Sequence, residues 1–182
     1  MKNLALTLLL AVLTIGSITA QEIKWVSFEE ALELQKKEPK KILMDMYTEW
    51  CGPCKMLDKN TFQNKEVAAY VNENFYAVKF NAEGNEVANY KGKEYTNPSY
   101  DPAKAKRRNS AHQLARFFQV NAYPTIVYLD EKAELIAPIK GYQTPVQIEL
   151  YLKIFATDDY KELSTQDAFD AYYLAFKPEF KG

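Results

Sequence analysis

The sequence predicts an α/β domain in which helices cover both faces of a central mixed sheet. Short apolar runs alternate with helical patterns over residues 27–119, which predicts parallel strands joined by helices. Two further strands separated by a tight turn follow over residues 125–139, and they predict an antiparallel hairpin. One more helical pattern, over residues 145–155, closes the domain.

The first elements have clear start and stop signals. Ser27 and Glu30 have the spacing of a capping box, so a helix should begin after Ser27. Pro39 stops that helix, which we expect to end at about Lys37. Residues 42–47 are apolar except for one aspartate, and this run predicts a buried strand.

The middle of the chain continues the alternation. A helix should begin at Cys51, and Asn64 is the expected N-cap of the next helix. Residues 75–80 form the next predicted strand. Residues 110–119 have a helical pattern, and the apolar face of that helix consists of Leu114, Phe117 and Phe118.

The last elements are a hairpin and a helix. Residues 125–129 and 135–139 are the two strands, joined by the turn DEKAE. Gly141 then precedes the closing helix. In open sheets of this kind, sites lie beyond the carboxyl ends of the parallel strands, and a cysteine pair stands at such an end.

Two segments lie outside this plan. Residues 84–109 form a polar insert, which is either a partner-recognition element or a solvated loop. Its candidate recognition residues are Tyr90, Tyr95, Tyr100, Lys104, Lys106, Arg107 and Arg108. Residues 157–182 form a tail with an aromatic stripe at helical spacing, which is typical of a docking face. The stripe consists of Phe169, Tyr172, Tyr173, Phe176 and Phe180.

Composition excludes some classes of protein. The chain has 182 residues, of which 47% are hydrophobic, so one domain with its own core is expected. The formal net charge of −1 gives no reason to expect nucleic acid or an anionic membrane surface as a partner.

The N-terminal segment has the pattern of a secretory signal. Lys2 precedes an apolar run over residues 4–13, and small and polar residues lead to Ala20. This pattern predicts a signal peptide over residues 1–20, export to the periplasm or the medium, and no membrane span after cleavage.

The only two cysteines, Cys51 and Cys54, admit three interpretations: a staple, a metal site or a redox pair. A staple normally closes a long loop, which this pair does not. A structural zinc site needs four ligands, and the single histidine, His112, is expected to lie solvated at the start of a helix. A two-thiolate copper site stays open, without a nearby methionine or histidine cluster. Electron transfer is favoured, with no metal and no cofactor.

The position of the pair suggests different roles for the two sulfurs. A thiolate is the attacking species in disulfide exchange. Cys51 stands at a helix N-terminus, where backbone N–H groups and the helix dipole favour its anion. Cys51 is therefore the expected exposed, attacking thiol, and Cys54, inside the first turn, is the expected resolving thiol.

The stretch ILMDMYTEWCGPCK closely resembles the active-site strand and loop of thioredoxin. Asp45 falls where thioredoxins have a buried aspartate, and Lys79 falls where they have its lysine neighbour. NAYPTIVYL is similar to the loop that contains the cis proline, here Pro124, and Gly141 matches the glycine before the last helix. The chain is also similar to exported thioredoxin-like proteins related to the C-terminal domain of the membrane electron relay DsbD.

The resemblance covers residues 24–156 apart from the insert, and it implies a thioredoxin fold over 21–156 with a C-terminal helical extension. It implies that Asp45 accepts the proton of Cys54 and that Lys79 either supports this role or only balances the charge. It also implies a substrate-binding surface made of Trp50, Gly52, Pro53, Tyr123 and Pro124.

The sequence departs from the family pattern at four places. Tyr123 replaces a small or aliphatic residue before the cis proline, which predicts a bulkier, more polar groove. Ala133 replaces the glycine of the hairpin turn. The insert and the tail have no thioredoxin counterpart. Because the insert follows the strand of Lys79, we expect it on the active-site edge of the domain.

Three functions remain in competition. The first is an exported reductase of protein disulfides, favoured by Gly52-Pro53 and by the lack of a histidine between the cysteines. The second is an oxidase or isomerase of the same fold, and the third is a non-catalytic binding or copper-carrier module. For the first, we expect a monomer whose partners are disulfide-bearing exported proteins and a membrane electron donor.

Overall fold

The computed structural model describes residues 22–182, so the expected signal peptide lies outside the described residues. The strands are β1 (Trp25–Val26), β2 (Lys41–Tyr47), β3 (Phe75–Asn81), β4 (Ala88–Tyr90), β5 (Lys93–Tyr95), β6 (Thr125–Leu129) and β7 (Leu135–Lys140). The helices are α1 (Phe28–Lys37), α2 (Gly52–Leu57), α3 (Lys65–Asn74), α4 (Gln113–Phe117), α5 (Pro145–Ala156) and α6 (Gln166–Ala175). Within residues 22–182, no helix has both the length and the apolar character needed to cross a bilayer.

The predicted mixed sheet is confirmed. Its strand order is β1-β3-β2-β6-β7, in which β1, β3 and β2 are parallel and β6 and β7 are antiparallel. Because side chains alternate along β2, Met44 packs with α1 and α4 on one face, while Leu43 packs with α3 and α5 on the other. Asp45 lies on the same face as Leu43. The ionisable side chain of Asp45 therefore lies in the apolar layer between the sheet and the helices α3 and α5.

The predicted helix caps are present. The Ser27 hydroxyl accepts a hydrogen bond from the Glu30 N–H at 3.1 Å, and α1 ends at Lys37 as expected. The Asn64 side chain accepts from the N–H groups of Glu66 and Val67, which starts α3.

The helix predicted over residues 110–119 is shorter, and the expectation of a solvated His112 is wrong. His112 is fully buried, and its Nδ1 accepts a hydrogen bond from the Leu114 N–H at 3.0 Å, so the imidazole is the N-cap of α4. Its Nε2 lies 2.8 Å from the Glu86 carbonyl oxygen, and both ring nitrogens are thus engaged. The left-handed backbone of Gln119, with φ of 59°, ends the helical path.

The insert is folded, and two of its candidate recognition tyrosines are buried, so for these two both alternatives, partner recognition and a solvated loop, are wrong. Tyr90 and Tyr95 lie on a short hairpin, β4–β5, and both side chains are buried in the layer that contains α1 and α4. The Tyr90 hydroxyl donates to the Ala133 carbonyl oxygen at 2.5 Å. Phe117 is nearly half exposed, yet its ring contacts both tyrosines.

The hairpin tip points away from the cysteines. Lys91 and Gly92 both have positive φ, as a tight turn between antiparallel strands requires. Lys91 forms an ion pair with Glu134, beside the turn that joins β6 to β7. Ala133 occupies a left-handed position of that turn, with φ of 57°, although it is not glycine. Only the ends of the insert therefore lie on the active-site edge.

The tail docks on its own domain, as the aromatic stripe indicated. The residues that pack against the layer containing α3 and α5 are Phe169, Tyr172, Phe176 and Phe180. The Phe180 ring meets Tyr70 of α3 edge-on at 5.9 Å. Tyr173 differs from the other stripe residues, since 60% of it is exposed.

A buried carboxylate on α5 holds the end of the tail. Glu149 is fully buried and accepts hydrogen bonds from the N–H groups of Glu179 and Phe180 at 2.8–3.0 Å. Lys153, one turn later, forms an ion pair with Glu149 at 2.7 Å. The charge of Glu149 is thus neutralised, and its oxygens replace water for two backbone donors of the tail.

Substituting Glu149→Ala should therefore lower the free energy of unfolding by about 3 kcal/mol, since charge-assisted hydrogen bonds to buried donors are lost. The tail should also become sensitive to limited proteolysis. Urea unfolding and mass spectrometry of the cleaved product measure the two effects. The matched control is Glu162→Ala, at an exposed position. Equal urea midpoints for the two variants would contradict this role of Glu149.

Candidate active site

The cysteine motif directly follows the strand β2 and so lies at the carboxyl edge of the sheet. Cys51 is the N-cap of α2, and its sulfur accepts a hydrogen bond from the Cys54 N–H at 3.1 Å. The two sulfurs form a disulfide, with Cα atoms 5.3 Å apart. Gly52 and Pro53 occupy the exposed tip between them. The sequence thus places both sulfurs within one helical turn, which is the reach that internal exchange requires.

The two sulfurs differ in what they face rather than in exposure. The expectation of an exposed Cys51 is wrong for this oxidised form, because Cys51 is 2% exposed and Cys54 is 4% exposed. Cys51 lines an open groove of about 690 Å³ together with Trp50 and Tyr123. Cys54 lines a separate cavity of about 220 Å³ together with Asp45. Cys51 is therefore reached from the open groove, while Cys54 faces a carboxyl group.

The environment of Asp45 is unusual for a carboxyl group. The side chain is 1% exposed, and neither oxygen has a hydrogen-bond partner among residues 22–182. Loss of hydration raises the pKa of Asp45 to about 7, although the charge of Lys79 acts in the opposite direction. The negative charge of Asp58 raises this pKa further. A carboxyl group with a pKa near neutrality can both accept and release a proton under ordinary conditions.

Lys79 lies opposite Asp45 in the pairing of β2 with β3, as the resemblance implies. Its ammonium group, however, forms its ion pair with Asp58 and lies 5.3 Å from the ring centre of Trp25. Lys79 therefore acts on Asp45 through its charge and makes no hydrogen bond to it. Sequence reasoning missed Asp58, although it lies four residues after Cys54, one turn along the same helical path.

The proline loop forms the other wall of the groove. The Tyr123–Pro124 peptide bond is cis, and the Pro124 carbonyl oxygen accepts from the Gly141 N–H at 2.8 Å. The Tyr123 ring meets Trp50 edge-on at 6.0 Å, so the two aromatic residues stand together beside Cys51. Burial, followed by the charge of Glu83, raises the pKa of Tyr123 to about 12. The groove wall is therefore aromatic and carries a neutral hydroxyl group.

Trp50 is fixed by Glu83, which directly precedes the insert, and by residues at the C-terminal end of the insert. Its indole N–H donates to Glu83 Oε2 at 2.7 Å, and the same oxygen accepts from the Asn109 N–H at 2.8 Å. The Arg108 guanidinium carbon lies 4.8 Å from the Trp50 ring centre. Sequence reasoning missed Glu83, and no local pattern could have revealed it, since its partners are distant along the chain.

Residues 22–182 contain no group of three or more histidine, cysteine, aspartate or glutamate side chains arranged to hold a metal ion. The chemistry that the arrangement can perform is exchange of sulfur partners between a dithiol and a disulfide. One sulfur faces a groove, the other faces a titratable carboxyl group, and the two sulfurs can bond to each other.

Comparison with known proteins agrees with this geometry. A family model for a thioredoxin-like domain matches residues 28–156. A thioredoxin-fold protein from Helicobacter pylori is 21% identical, with a TM-score of 0.57, and the match covers 75% of this chain and 81% of that chain. The DsbH oxidoreductase is 18% identical, with a TM-score of 0.50, covering 86% and 93%. A proposed disulphide isomerase from Bacteroides thetaiotaomicron is 27% identical, with a TM-score of 0.50, covering 75% and 94%.

No curated protein sequence gives a significant match. The match to the family model nevertheless spans more than half of the chain and includes both cysteines, the proline loop and the closing helix. A cysteine pair that begins a helix of this fold is the arrangement of a thiol–disulfide oxidoreductase. The chain belongs to the family of thioredoxin-like domains.

Proposed function

We propose that the protein is an exported reductase of protein disulfides. The thiolate of Cys51 attacks one sulfur of a substrate disulfide, which forms a mixed disulfide and releases the other substrate sulfur as a thiolate. Cys54 then loses its proton to Asp45 and attacks the Cys51 sulfur. This step releases the second substrate thiolate and leaves the Cys51–Cys54 disulfide. The substrate gains two electrons, and the protein loses them.

The observation that carries this proposal is the division of the site into two compartments. Cys51 lines the open groove and Cys54 lines the small cavity that it shares with the unpaired carboxyl group of Asp45. A proton acceptor beside Cys54 serves the second attack, because only the thiolate form of Cys54 is nucleophilic. A passive binding or copper-carrier module has no use for such an acceptor.

The groove supports a role in binding extended substrate segments. Proline has no N–H, so the loop at Pro124 leaves the backbone of Tyr123 free to pair with a substrate strand. Trp50 and Tyr123 supply apolar contact area next to Cys51. Gly52 and Pro53 are exposed beside the sulfurs and leave room for the substrate backbone.

The rest of the proposal concerns direction, place and partners. The residues between the cysteines are uncharged, so they give the reduced form no extra thiolate stabilisation, which favours a reductase. The N-terminal pattern favours export with a mature domain from residue 21 to residue 156 and a docked extension to residue 182. The partners are disulfide-bearing exported proteins, and a membrane electron donor re-reduces Cys51–Cys54. The protein acts as a monomer.

The reduction potential of the Cys51–Cys54 pair should be near the roughly −270 mV of thioredoxin, and not near the roughly −120 mV of the strong periplasmic oxidant. Equilibration with defined thiol–disulfide buffers, followed by alkylation and mass spectrometry, measures it. A value above about −180 mV, the range of disulfide isomerases, would exclude the reductase direction in favour of isomerase or oxidase activity.

Asp45→Asn should slow reduction of insulin near pH 7 by on the order of a hundredfold, since a general base is removed. The mixed disulfide should accumulate, because its resolution by Cys54 is the affected step. Quenched-flow alkylation measures this accumulation. The matched control is Asp167→Asn on the exposed face of α6, which should react at the wild-type rate. If Asp45→Asn reacts at the wild-type rate between pH 6 and pH 8, Asp45 has only a structural role.

The same substitution should change how stability depends on pH. In the wild type, folding raises the pKa of Asp45 from 3.8 to about 7, so the folded state binds the proton more tightly than the unfolded state. Asp45 therefore makes its full contribution to the free energy of unfolding below about pH 4, and this contribution is lost as the pH rises to about 7. Relative to wild type, Asp45→Asn should therefore gain stability between pH 4 and pH 8, by on the order of 4 kcal/mol.

Chemical unfolding of the oxidised forms at several pH values measures this gain. The Asp167→Asn control should follow the wild type at every pH. A difference between Asp45→Asn and wild type that stays constant from pH 4 to pH 8 would show that Asp45 is ionised throughout.

A further inference from the structure

The C-terminal end of the insert carries a cluster of basic residues next to the groove. We call it the basic ridge, and it consists of Lys104, Lys106, Arg107 and Arg108, all of which are exposed. It begins on a short 3₁₀ turn, Pro102–Lys104, whose N-cap is Asp101. The proposed reductase activity does not by itself require any of these charges.

The basic ridge is held by hydrogen bonds at both ends. The Asp101 N–H donates to the Asn109 side-chain oxygen at 3.0 Å, and the Asn109 amide donates to the Asp101 carbonyl oxygen at 2.8 Å. Just beyond, the Asn97 amide donates to the carbonyl oxygens of Gly84 and Ser110. Positive charges on a fixed loop can recognise a partner at a lower entropic cost than charges on a free loop.

Arg108 is the residue of the basic ridge that lines the groove beside Cys51. Its guanidinium group lies over Trp50, and its side chain lines the same groove as Cys51. Within residues 22–182, Arg108 forms no hydrogen bond through its guanidinium group and no ion pair. Its planar set of N–H donors is thus available to a carboxylate, for which the guanidinium group is well suited.

The four basic residues of the ridge outnumber the two carboxylates placed beside it, Glu83 and Asp101. Glu83 lines the groove as well, and its Oε2 accepts hydrogen bonds from the Trp50 indole N–H and the Asn109 N–H. Asp101 lies 3.5 Å from the Lys104 ammonium group and caps the turn. Lys106, Arg107 and Arg108 form no ion pair within residues 22–182, and Arg108 lines the groove itself. The positive charge of Arg116 also acts on Tyr123 in the groove wall.

We propose that the groove selects disulfides whose attacked cysteine is flanked by acidic residues. This inference rests on the proposed reductase function. Arg108 binds a substrate carboxylate close to the mixed disulfide, and the rest of the basic ridge attracts the acidic segment as it approaches. Arg108 is thus a specificity-determining residue, while Cys51 and Cys54 perform the exchange.

Three synthetic peptides test this assignment. Each contains the same intramolecular disulfide, and the residues flanking its cysteines are Glu, Gln or Lys. Second-order rate constants for reduction by the reduced wild-type protein should decrease from Glu to Gln to Lys, by about two- to fivefold at each step, as expected for exposed charge pairs. The differences should shrink in 1 M salt, where charges are screened within about 3 Å.

Two substitutions of Arg108 and one control complete the test. Arg108→Gln should lower the Glu-to-Lys rate ratio, and Arg108→Glu should lower it further, while the rest of the basic ridge keeps part of the preference. An unchanged ratio in Arg108→Gln would overturn the role of Arg108. The control Lys132→Glu makes the same charge change on the exposed turn between β6 and β7, and it should keep the wild-type ratio. Circular dichroism establishes that each variant is folded, and Arg108→Gln alone decides the outcome if Arg108→Glu unfolds.

The possible failures are distinguishable. If the wild-type protein reduces none of the peptides, the proposed function itself is wrong. If it reduces all three at equal rates, the function stands and the preference for acidic substrates is overturned. Equal rates together with sedimentation of the protein on phosphatidylglycerol vesicles, lost in Arg108→Glu but kept in Lys132→Glu, would assign the ridge to an anionic membrane surface instead.

Discussion

An ionisable carboxyl group, Asp45, is kept in the apolar layer between the sheet and the helices, and the site depends on this constraint. Its position on β2 follows from the alternation that also buries Leu43, and Cys54 shares its cavity. Two opposing effects set its pKa: burial raises it, and Lys79 lowers it. Burial prevails, since Lys79 is engaged by Asp58 and gives Asp45 no hydrogen bond. Asp45 is therefore a proton acceptor with a pKa near neutrality rather than a fixed negative charge.

The insert contributes to both the core and the groove, although its polar composition indicates a surface element. Its strands β4 and β5 bury Tyr90 and Tyr95 against α1 and α4, so the middle of the insert is part of the domain. Its two ends return to the active-site edge, where Glu83 and Asn109 are joined through one carboxylate oxygen. Replacing the whole insert by a flexible linker would therefore expose apolar surface as well as remove recognition residues. Specificity has to be probed one side chain at a time.

The strands β2, β3, β6 and β7, the caps at Ser27 and Asn64 and the pairing of Asp45 with Lys79 could be predicted, because each depends on local patterns or on the strong motif around the cysteines. The short strand β1 and the hairpin β4–β5 were not predicted. The burial of Tyr90 and Tyr95 could not, since tyrosine suits both cores and surfaces and the partners of these residues are far along the chain. His112 was misjudged for a related reason: a buried imidazole is stable here only because the Glu86 carbonyl and the Leu114 N–H satisfy both of its nitrogens. The link between Trp50 and Arg108 likewise exists only in the folded chain.

We expect Asp45 to exchange a proton near neutral pH beside Cys54. The most direct measurement is an NMR titration of the Asp45 side-chain carboxyl carbon, in protein labelled with ¹³C, in the reduced and the oxidised states. In the oxidised protein, the Asp45 carboxyl should titrate with a pKa near the value of about 7 that burial imposes. In the reduced protein, this titration should be coupled to that of the Cys54 thiol. A carboxyl carbon that titrates near pH 4, the ordinary value for aspartate, in both states would show that Asp45 is a fixed negative charge and not the proton acceptor of Cys54.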